Sequence, residues 1–572
     1  MALTIREKSV ISLHFWEFFW TSSSLRAARN SCSQVSSFEL RRENNLQQHR
    51  DKDMDIGMKI TSVLSRKALS TVCLVFLATF LATPVAAATS CYVIGNTSDN
   101  KLSKPLGSKA NPYGSLAAVQ TDTSCDEIVV LYSAIALDGG ITLADGQELN
   151  GKTGENNALP IITNTTGATN GGHGVQLAAN NKVSNLYIQD SYNSGIVGGE
   201  VGELKISDVL ITGFGQGELV TPDLFGNLAS AQGILLGSSS DVSIDISDTE
   251  LGDASGTAAA IVTLAGHANV SVDKLTVRDL GMIDGTHVAA GVAVVSIGSS
   301  SIDADLKHIS VSNIGAGISN SDGMVLIAAN SSTMTVVVNE YDYLNPDGDG
   351  GGSATGLEIG NLFAGGATFD ATVKNSTLQG MTSIGIQIVD QAGSGNNFLT
   401  AHIHDNEIFD SASSGIEMDI GLGGAPYGTN HLTIEDNLIV NAGWSGIEVY
   451  SAIDPQNVLN VLVQRNTVIN SALSGLTFIQ AVGASAATLN LDAGLGGLGS
   501  EGNNKIIDSQ GADIYVETFD CCGFPATPAF SVDAANNWWG TASGPTTVTE
   551  LGSATVDVDP FLTSEPDLDD DD

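Results

Sequence analysis

The sequence predicts an all-β solenoid, a fold in which the chain winds into coils that stack along one axis. The first observation is three near-copies of one phrase, which cover residues 405–418, 436–449 and 465–478. Equivalent glycines of the copies lie 31 and 29 residues apart, and a period of this length is typical of stacked repeats. The second observation is that no 3.6-residue apolar period is sustained across these copies. Each copy therefore predicts short strands joined by turns.

A single copy shows why the repeats must stack. Apolar, mostly β-branched residues lie between Asn437 and Asn441, and residues 446–450 alternate apolar and polar after a short turn. Such alternation is typical of a strand with one buried face. One repeat alone cannot bury that face, whereas stacked copies can. Glycines that allow a corner or a close backbone approach recur at Gly195, Gly233, Gly291, Gly323, Gly356, Gly385, Gly415, Gly446 and Gly475.

Asparagine and aspartate mark the turns between the predicted strands. Both residue types tolerate turn conformations, and identical amides stacked on one another can form hydrogen bonds along the stack. The repeat alignment predicts two such columns. One contains Asn375, Asn406, Asn437 and Asn466, and the other contains Asp410, Asn441 and Asn470.

The repeated phrase resembles the coil of right-handed parallel β-helix proteins, the pectate-lyase-like superfamily. The resemblance covers residues 90–562 and implies a right-handed parallel β-helix of about 11–13 coils. This superfamily includes lyases, hydrolases, epimerases, phage tailspikes, adhesins and non-enzymes, so the resemblance predicts a fold and leaves the activity open. We expect a cap and first coils over 89–170, the β-helix over 171–562, and a solvated acidic tail over 563–572.

The charge balance excludes one class of partner. The chain of 572 residues has a formal charge of −41, and from residue 89 onward 12 Lys and Arg stand against 57 Asp and Glu, a net charge of −45. Such a surface keeps a protein soluble and repels polyanions, and nucleic-acid binding needs a basic footprint. We therefore expect no nucleic-acid partner, and a monomer.

Residues 58–88 are typical of a secretory signal peptide. Basic residues precede a short apolar run over 68–82, and three alanines follow it as a cleavage site. The run is too short for a membrane span. We expect export to the periplasm or the extracellular space, with no span in the mature chain. The expected start is Met54 or Met58, which makes residues 1–57 an over-extended reading frame. The alternatives are a disordered segment and a genuine cytoplasmic extension.

The start of the mature chain resembles the entry of secreted β-helices, in which a short helix covers the open end. Cys91 and Cys125 lie in this entry, and we interpret them as a disulfide, which an oxidising compartment permits. Closing that loop would stabilise the fold by roughly 3–4 kcal/mol. Free thiols, or a lipid anchor on Cys91, are the alternatives. Cys521 and Cys522 are adjacent, and a vicinal disulfide is rare and strained, so their state is left open.

At the other end, residues 536–545 resemble the terminal coil of many β-helices, where an aromatic pair closes the core. Trp538 and Trp539 are that pair.

The clearest candidate site is a row of side chains on one strand face. The residue after each Gly–apolar pair points outward if the apolar residue points inward. Paired carboxylates with aromatic neighbours are what sugar hydrolysis requires: an acid, a base or nucleophile, and a stacking platform. A solvated acidic surface is the alternative. The outward positions are Glu358, Gln387, Glu417, Glu448 and Thr477; the catalytic candidates are Glu417, Asp419 and Glu448, and the ligand-binding candidates are Trp444, Tyr450 and Tyr427.

Metal sites are weakly indicated. His402 and His404 share a face, with His431 one coil later, and a metal pair would use this spacing. A carboxylate at a fixed third position is not evident. Asp347 and Asp349 in a glycine-rich loop suggest Ca²⁺, but the third acid and the terminal Glu of a calcium loop are missing. We expect no cofactor, with Ca²⁺ as the weak alternative.

Known pectin chemistry does not fit these coils. Gly172-His173-Gly174 resembles a piece of the polygalacturonase signature, but the paired aspartates and the Arg-x-Lys of that family are missing. A lyase reaction would need a Lys or Arg base over a Ca²⁺ cluster, and no basic cluster is visible. The main hypothesis is therefore an exported protein that presents a β face to a glycan or a cell-surface partner. The first alternative is a carbohydrate-active enzyme, a hydrolase or lyase-like enzyme on a polysaccharide, and the second is a passive structural rod.

Overall fold

The computed structural model describes most of the chain from residue 88 onward. The described ranges are 88–95, 104–215, 232–255, 258–263, 265–281, 289–316, 320–345, 353–362, 366–391, 396–420, 427–452, 457–482, 488–520 and 530–568. The predicted extension and signal peptide up to residue 87, the calcium candidates Asp347 and Asp349, and the vicinal Cys521 and Cys522 lie outside these residues. Residues Ala88–Asp572 form one compact unit.

The fold is the right-handed parallel β-helix that the sequence predicts. Within the described residues, the strands form two sheets of 23 and 14 strands, here called sheet 1 and sheet 2. Neighbouring strands pair in parallel, each with the equivalent strand of the next coil. Each strand of sheet 2 returns to the next through sheet 1, and such crossovers between parallel strands are right-handed in nearly all proteins.

Sheet 2 gives the count of layers. Its 14 strands include short ones at both ends, whereas the sequence predicts about 11–13 coils. The strands are Ile141–Thr142, Val175–Gln176, Ile196–Gly199, Ile234–Ser238, Ala259–Thr263, Ala289–Gly298, Asn320–Asn330, Ser353–Leu362, Ile386–Gln391, Ile416–Ile420, Ser445–Ala452, Ser474–Val482, Ala512–Asp520 and Val548–Leu551.

Most coils contribute two segments to sheet 1, on either side of a corner. The segments run on as one strand in some coils and are separate in others. The strands are Ser90–Val93, Glu127–Leu131, Leu137–Asp138, Glu148–Lys152, Ile161–Asn164, Lys182–Ser191, Glu203–Thr212, Val242–Ser255, His267–Gly281, Ser301–Ala316, Thr333–Leu344, Thr368–Lys374, Thr377–Gln379, Asn396–His404, Glu407–Phe409, Tyr427–Glu435, Leu438–Val440, Asn457–Gln464, Thr467–Ile469, Thr488–Gly494, Lys505–Ile507, Ser531–Ala534 and Thr555–Asp557.

The corner between those two segments contains a buried column of asparagines. Asn406, Asn437 and Asn466 lie directly above one another, and each side-chain amide donates to the next amide oxygen at 2.9–3.0 Å. The column continues through Asn504 to Asn537. Identical amides therefore satisfy one another inside the stack, as the repeat alignment predicts.

The alignment is wrong at Asn375. Thr377 pairs with Glu407, so Ser376 and not Asn375 lies above Asn406. Asn375 occupies the preceding position, which adopts a left-handed backbone with φ of 51°. In later coils that position is taken by Asp405, Asp436 and Arg465, all with positive φ. The one-residue error arises because asparagine suits both the left-handed corner and the buried slot beside it.

The second predicted column is confirmed on the surface. Asn441 donates to Asp410 at 2.9 Å, and Asn470 donates to Asn441 at 2.7 Å. All three residues adopt positive φ, as residues of a tight corner do.

The repeated glycines lie where sheet 2 begins in each coil. A Cβ on Gly415 would lie 2.4 Å from Cγ2 of Ile439 and 2.8 Å from the carbonyl oxygen of Gly446. The backbone at Gly415 does not adopt a positive φ. Close approach of the corner to the core, rather than a special turn, therefore explains the glycines.

The core fills the interior of the coils with aliphatic stacks. Ile386, Ile416 and Ile447 are fully buried and lie in register on successive strands of sheet 2. The residues between them along each strand point away from this core, because successive side chains alternate across a strand. That alternation places the candidate site on the outer face of sheet 2.

Both ends of the solenoid are closed. The helix Leu116–Gln120, here α1, buries Leu116 and Val119, and the Ser115 side chain accepts the backbone N–H of Ala118. Cys91 and Cys125 are joined in a disulfide beside it. Two short 3₁₀ helices, Glu155–Asn157 and Asn170–Gly172, lie in the first coils.

At the far end, Trp539 is buried in the core and Trp538 is half-buried. Only one member of the predicted aromatic pair therefore closes the core. None of the helices in the described part of the chain could serve as a membrane span.

Candidate functional site

The predicted row of outward side chains is one column of sheet 2. Glu358 pairs with Gln387, Gln387 with Glu417, Glu417 with Glu448, and Glu448 with Thr477. We call this column the ladder. Asp419 lies in the neighbouring column, two residues beyond Glu417 and in register with Tyr450. Strand pairing thus brings the three catalytic candidates together on two adjacent coils.

These carboxyl groups are not on a solvated surface. Only 7% of Asp419 and 8% of Glu448 is exposed to solvent, and Glu358 and Glu417 are half-buried. Burying a carboxylate is unfavourable unless it is paired or protonated. The ladder therefore differs from the many exposed acids of sheet 1.

Two neutral donors satisfy part of this acidic cluster. The Gln387 amide nitrogen Nε2 donates to Oδ2 of Asp419 at 3.0 Å. The hydroxyl of Ser414 donates to Oε2 of Glu448 at 2.9 Å. The carboxyl groups of Glu417 and Asp419 also share a hydrogen bond, which requires a proton on one of them.

Burial and mutual repulsion shift the ionisation of the cluster. Burial, followed by the charges of Asp419 and Glu448, raises the pKa of Glu417 well above its usual value. Burial raises the pKa of Asp419 to about 6, although hydrogen bonds from Gln387 and Glu417 oppose the shift. Burial and the charge of Asp419 raise the pKa of Glu358 to about 7. Near neutral pH the cluster thus contains both protonated and ionised carboxyl groups.

The sequence reasoning missed Asp322, which extends the acidic cluster by one coil. Its pKa is raised well above the usual value, first by burial and then by the charge of Glu358. Two core tyrosines, Tyr341 and Tyr343, pack near it, and the Tyr341 hydroxyl donates to the carbonyl oxygen of Gly356 at 2.9 Å. The available signal was its position: Asp322 directly precedes the repeated glycine Gly323, a place that serine holds before Gly415, Gly446 and Gly475.

Ser414 holds the same position before a repeated glycine, and the sequence analysis did not single it out either. Ser414 precedes Gly415 and is fully buried. Ser445 and Ser474 hold the equivalent place in the next two coils. A small hydroxyl at this corner can reach a carboxylate of the following layer.

Of the three aromatic candidates, two can be placed. Tyr450 is half-buried and lies directly beside Asp419 in the next coil. Trp444 is half-buried in the turn before Glu448, where its backbone bonds to Ser413 and Leu473. The side chain of Tyr427 lies outside the described residues.

The histidines lie on sheet 1 rather than beside the ladder. His402 and His404 stack with ring centroids 4.2 Å apart, which confirms that they share a face. Nε2 of His402 lies 2.6 Å from Oε1 of Glu435, and Nδ1 of His404 lies 2.6 Å from Oδ2 of Asp405. Each ring is therefore bound to a carboxylate.

Among the described residues, one group of converging side chains has the atoms to hold a metal ion: Cys91, Asp122 and Cys125. Its two sulfurs are joined in the disulfide, so neither is a thiolate that could bind an ion. The acidic cluster does not form such a group.

Comparisons with known proteins add little. No protein-family model matches the sequence, and a comparison with curated proteins finds no match. The native crystal structure of GH136 lacto-N-biosidase from Eubacterium ramulus aligns at 12% identity with a TM-score of 0.36, over 75% of this chain and 68% of that chain. Its selenomethionine derivative aligns over the same shares at 10% identity and a TM-score of 0.25. Similarity at this level carries no conclusion about activity.

Proposed function

We propose that the chain is an exported carbohydrate-active enzyme that hydrolyses a glycosidic bond with carboxyl groups of the ladder. One observation carries the proposal: Glu417, Asp419 and Glu448 lie together on two adjacent coils, and burial leaves protonated and ionised carboxyl groups side by side. Glycoside hydrolysis needs a carboxylic acid to protonate the leaving oxygen and a carboxylate to act as base or nucleophile.

The surroundings favour a neutral sugar. Negative side chains dominate the cluster, and the exported region has a net charge of −45, so a polyuronate would be repelled. A lyase reaction is disfavoured because no ladder position carries the Lys or Arg that would abstract a proton. Tyr450, directly beside Asp419, offers a ring on which a sugar could stack.

Export is part of the proposal. The disulfide between Cys91 and Cys125 supports it, because structural disulfides persist in oxidising compartments. Cell fractionation of a tagged chain, with the amino terminus of the product sequenced, would test it. Recovery of the whole chain in the cytoplasm would contradict it.

The enzymatic proposal is tested with a panel of neutral oligosaccharides and polysaccharides, by product release from wild type and two variants. Glu417→Gln and Glu448→Gln keep side-chain shape and remove the acid and the carboxylate. We expect each to lower turnover by at least about 100-fold, the usual contribution of a general acid or base. Glu407→Gln is the matched control, since Glu407 lies on the same coil as Glu417 but is exposed on sheet 1.

The same variants distinguish the other two hypotheses. A non-catalytic glycan binder would release no product with wild type, yet would bind a glycan in calorimetry, with affinity reduced in the ladder variants. The half-buried Trp444 and Tyr450 favour that second candidate. A passive rod would neither bind nor cleave any member of the panel, and that result would overturn both functions.

A further inference from the structure

We propose that Gln387 is a positioning residue, which keeps Asp419 ionised and thereby leaves the shared proton of the site on Glu417. This inference deepens the proposed function and rests on it for its catalytic meaning. The ionisation itself is a property of the folded protein without substrate.

Gln387 interrupts a row of glutamates. In the ladder it lies between Glu358 on the preceding coil and Glu417 on the following one. A glutamate here would place like charges on four successive layers, from Glu358 to Glu448, about 4.8 Å apart. The amide replaces one of these charges and adds a donor, which points diagonally to Oδ2 of Asp419 at 3.0 Å.

The donor group decides which form of Asp419 is stabilised. An amide N–H can donate and cannot accept, so its hydrogen bond favours an acceptor oxygen and hence the carboxylate. Asp419 also shares a hydrogen bond with Glu417. Gln387 cannot release a proton whereas Glu417 can, so the proton between the two carboxyl groups lies on Glu417.

The titratable groups near Asp419 and Glu417 agree with this distribution, although a hydrogen bond with Ser414 opposes the rise in the pKa of Glu417. Within the described part of sheet 2 these groups are Glu358, Glu448 and Tyr450, and none is basic. Negative neighbours favour uptake of a proton by the pair as a whole. The Gln387 hydrogen bond then determines which of the two carboxyl groups holds this proton.

This placement defines one step of the proposed reaction. As the glycosidic C–O bond breaks, its electron pair goes to the leaving oxygen, which takes the proton from Glu417. Glu448 supplies an electron pair to the anomeric carbon, directly or through a water whose proton it accepts. Asp419 stays ionised throughout, and its role is to keep the proton available on Glu417.

The test is a carboxyl titration by ¹³C NMR of protein labelled at the Asp and Glu side-chain carboxyl carbons, with no substrate. Coupled carboxyl groups titrate in steps that belong to the pair, so the observable is which carbon reports the step at higher pH. In wild type we expect that step on Glu417. In Gln387→Met, which keeps the length of the side chain and removes its donor, we expect it to move to Asp419.

Gln379→Met is the matched control. Gln379 lies on the same coil, on sheet 1, and its amide nitrogen is 3.5 Å from Oδ2 of Asp410. It should leave the titration of Glu417 and Asp419 unchanged. Gln387→Glu is the second variant if methionine prevents folding, because glutamate occupies the same column in both neighbouring coils. It should move the upper step in the same direction.

The inference is overturned if the upper step in wild type belongs to Asp419, or if it stays on Glu417 in both Gln387 variants. If a substrate is found, a variant in which the pKa of Glu417 is one unit lower should show about tenfold lower turnover at neutral pH, with KM unchanged. A titration as expected, with no activity on any glycan, would reject the proposed function and leave the role of Gln387 in ionisation standing.

Discussion

Asn437 shows what a single side chain contributes to the stack. Only 2% of it is exposed. Its amide nitrogen lies 2.9 Å from the oxygen of Ile403 and 2.9 Å from Oδ1 of Asn466, and its own oxygen accepts from the backbone and side chain of Asn406. One residue therefore fixes the corner of its own coil and the register of the coils on both sides.

Replacing Asn437 by alanine should lower the free energy of unfolding by about 2–4 kcal/mol, because two buried N–H groups of Asn406 lose their acceptor, and the Ile403 carbonyl and Asn466 Oδ1 each lose a donor. Asn441→Gly is the matched control on the same coil. Asn441 makes comparable bonds to Asp410 and Asn470, but they are exposed, and glycine keeps its positive φ. We expect a change below about 1 kcal/mol there. Urea denaturation of both variants measures the difference, and equal losses would refute the role of the buried column.

Individual strands show how much of the candidate site the sequence predicts. The alternation after each repeated glycine predicts that Glu358, Glu417 and Glu448 lie on the outer face of their strands. The strand pairing confirms that they are in register. Alternation gives the face on which a side chain lies, but it does not indicate how deeply that side chain is buried. Ser414 was missed because it lies in a corner, where a period of two gives no direction. Asp322 was missed because it lies near the start of its strand, before the repeated glycine from which the alternation is counted.

The spacing of sheet 2 leads to a stereochemical prediction. Glu417 and Glu448 are in-register neighbours on adjacent strands, which lie about 4.8 Å apart. Retaining glycosidases place their two carboxyl groups about 5–5.5 Å apart, whereas inverting enzymes need about 6.5–9.5 Å to admit a water. If the chain hydrolyses a glycan with this pair, the product should keep its anomeric configuration. Proton NMR of the first product anomer decides, and inversion would exclude the pair.

The whole molecule is strongly acidic, and the ladder adds a specific pH dependence to it. Burial raises the pKa of Asp419 to about 6 and that of Glu358 to about 7, and it raises the pKa of Glu417 as well. In the unfolded chain these groups have pKa values near 4. Between about pH 4 and 7 these three groups therefore bind more protons in the folded protein than in the unfolded chain.

Proton linkage gives the direction of the effect. When the folded state binds more protons, the free energy of unfolding falls as pH rises. The stabilisation is complete below about pH 4 and is lost as pH rises through 6 to 7. A shift of two pKa units, as for Asp419, corresponds to on the order of 3 kcal/mol. Repulsion among the remaining carboxylates acts in the same direction.

We therefore expect the protein to be more resistant to urea at pH 5 than at pH 7.5, the reverse of ordinary acid denaturation. Asp419→Asn should reduce this difference, because asparagine does not titrate. Glu407→Gln should leave it almost unchanged, since Glu407 is exposed. Measuring the urea midpoint of the three proteins at both pH values separates the buried cluster from the general surface charge. An equal pH dependence in wild type and Asp419→Asn would show that surface charge alone is responsible.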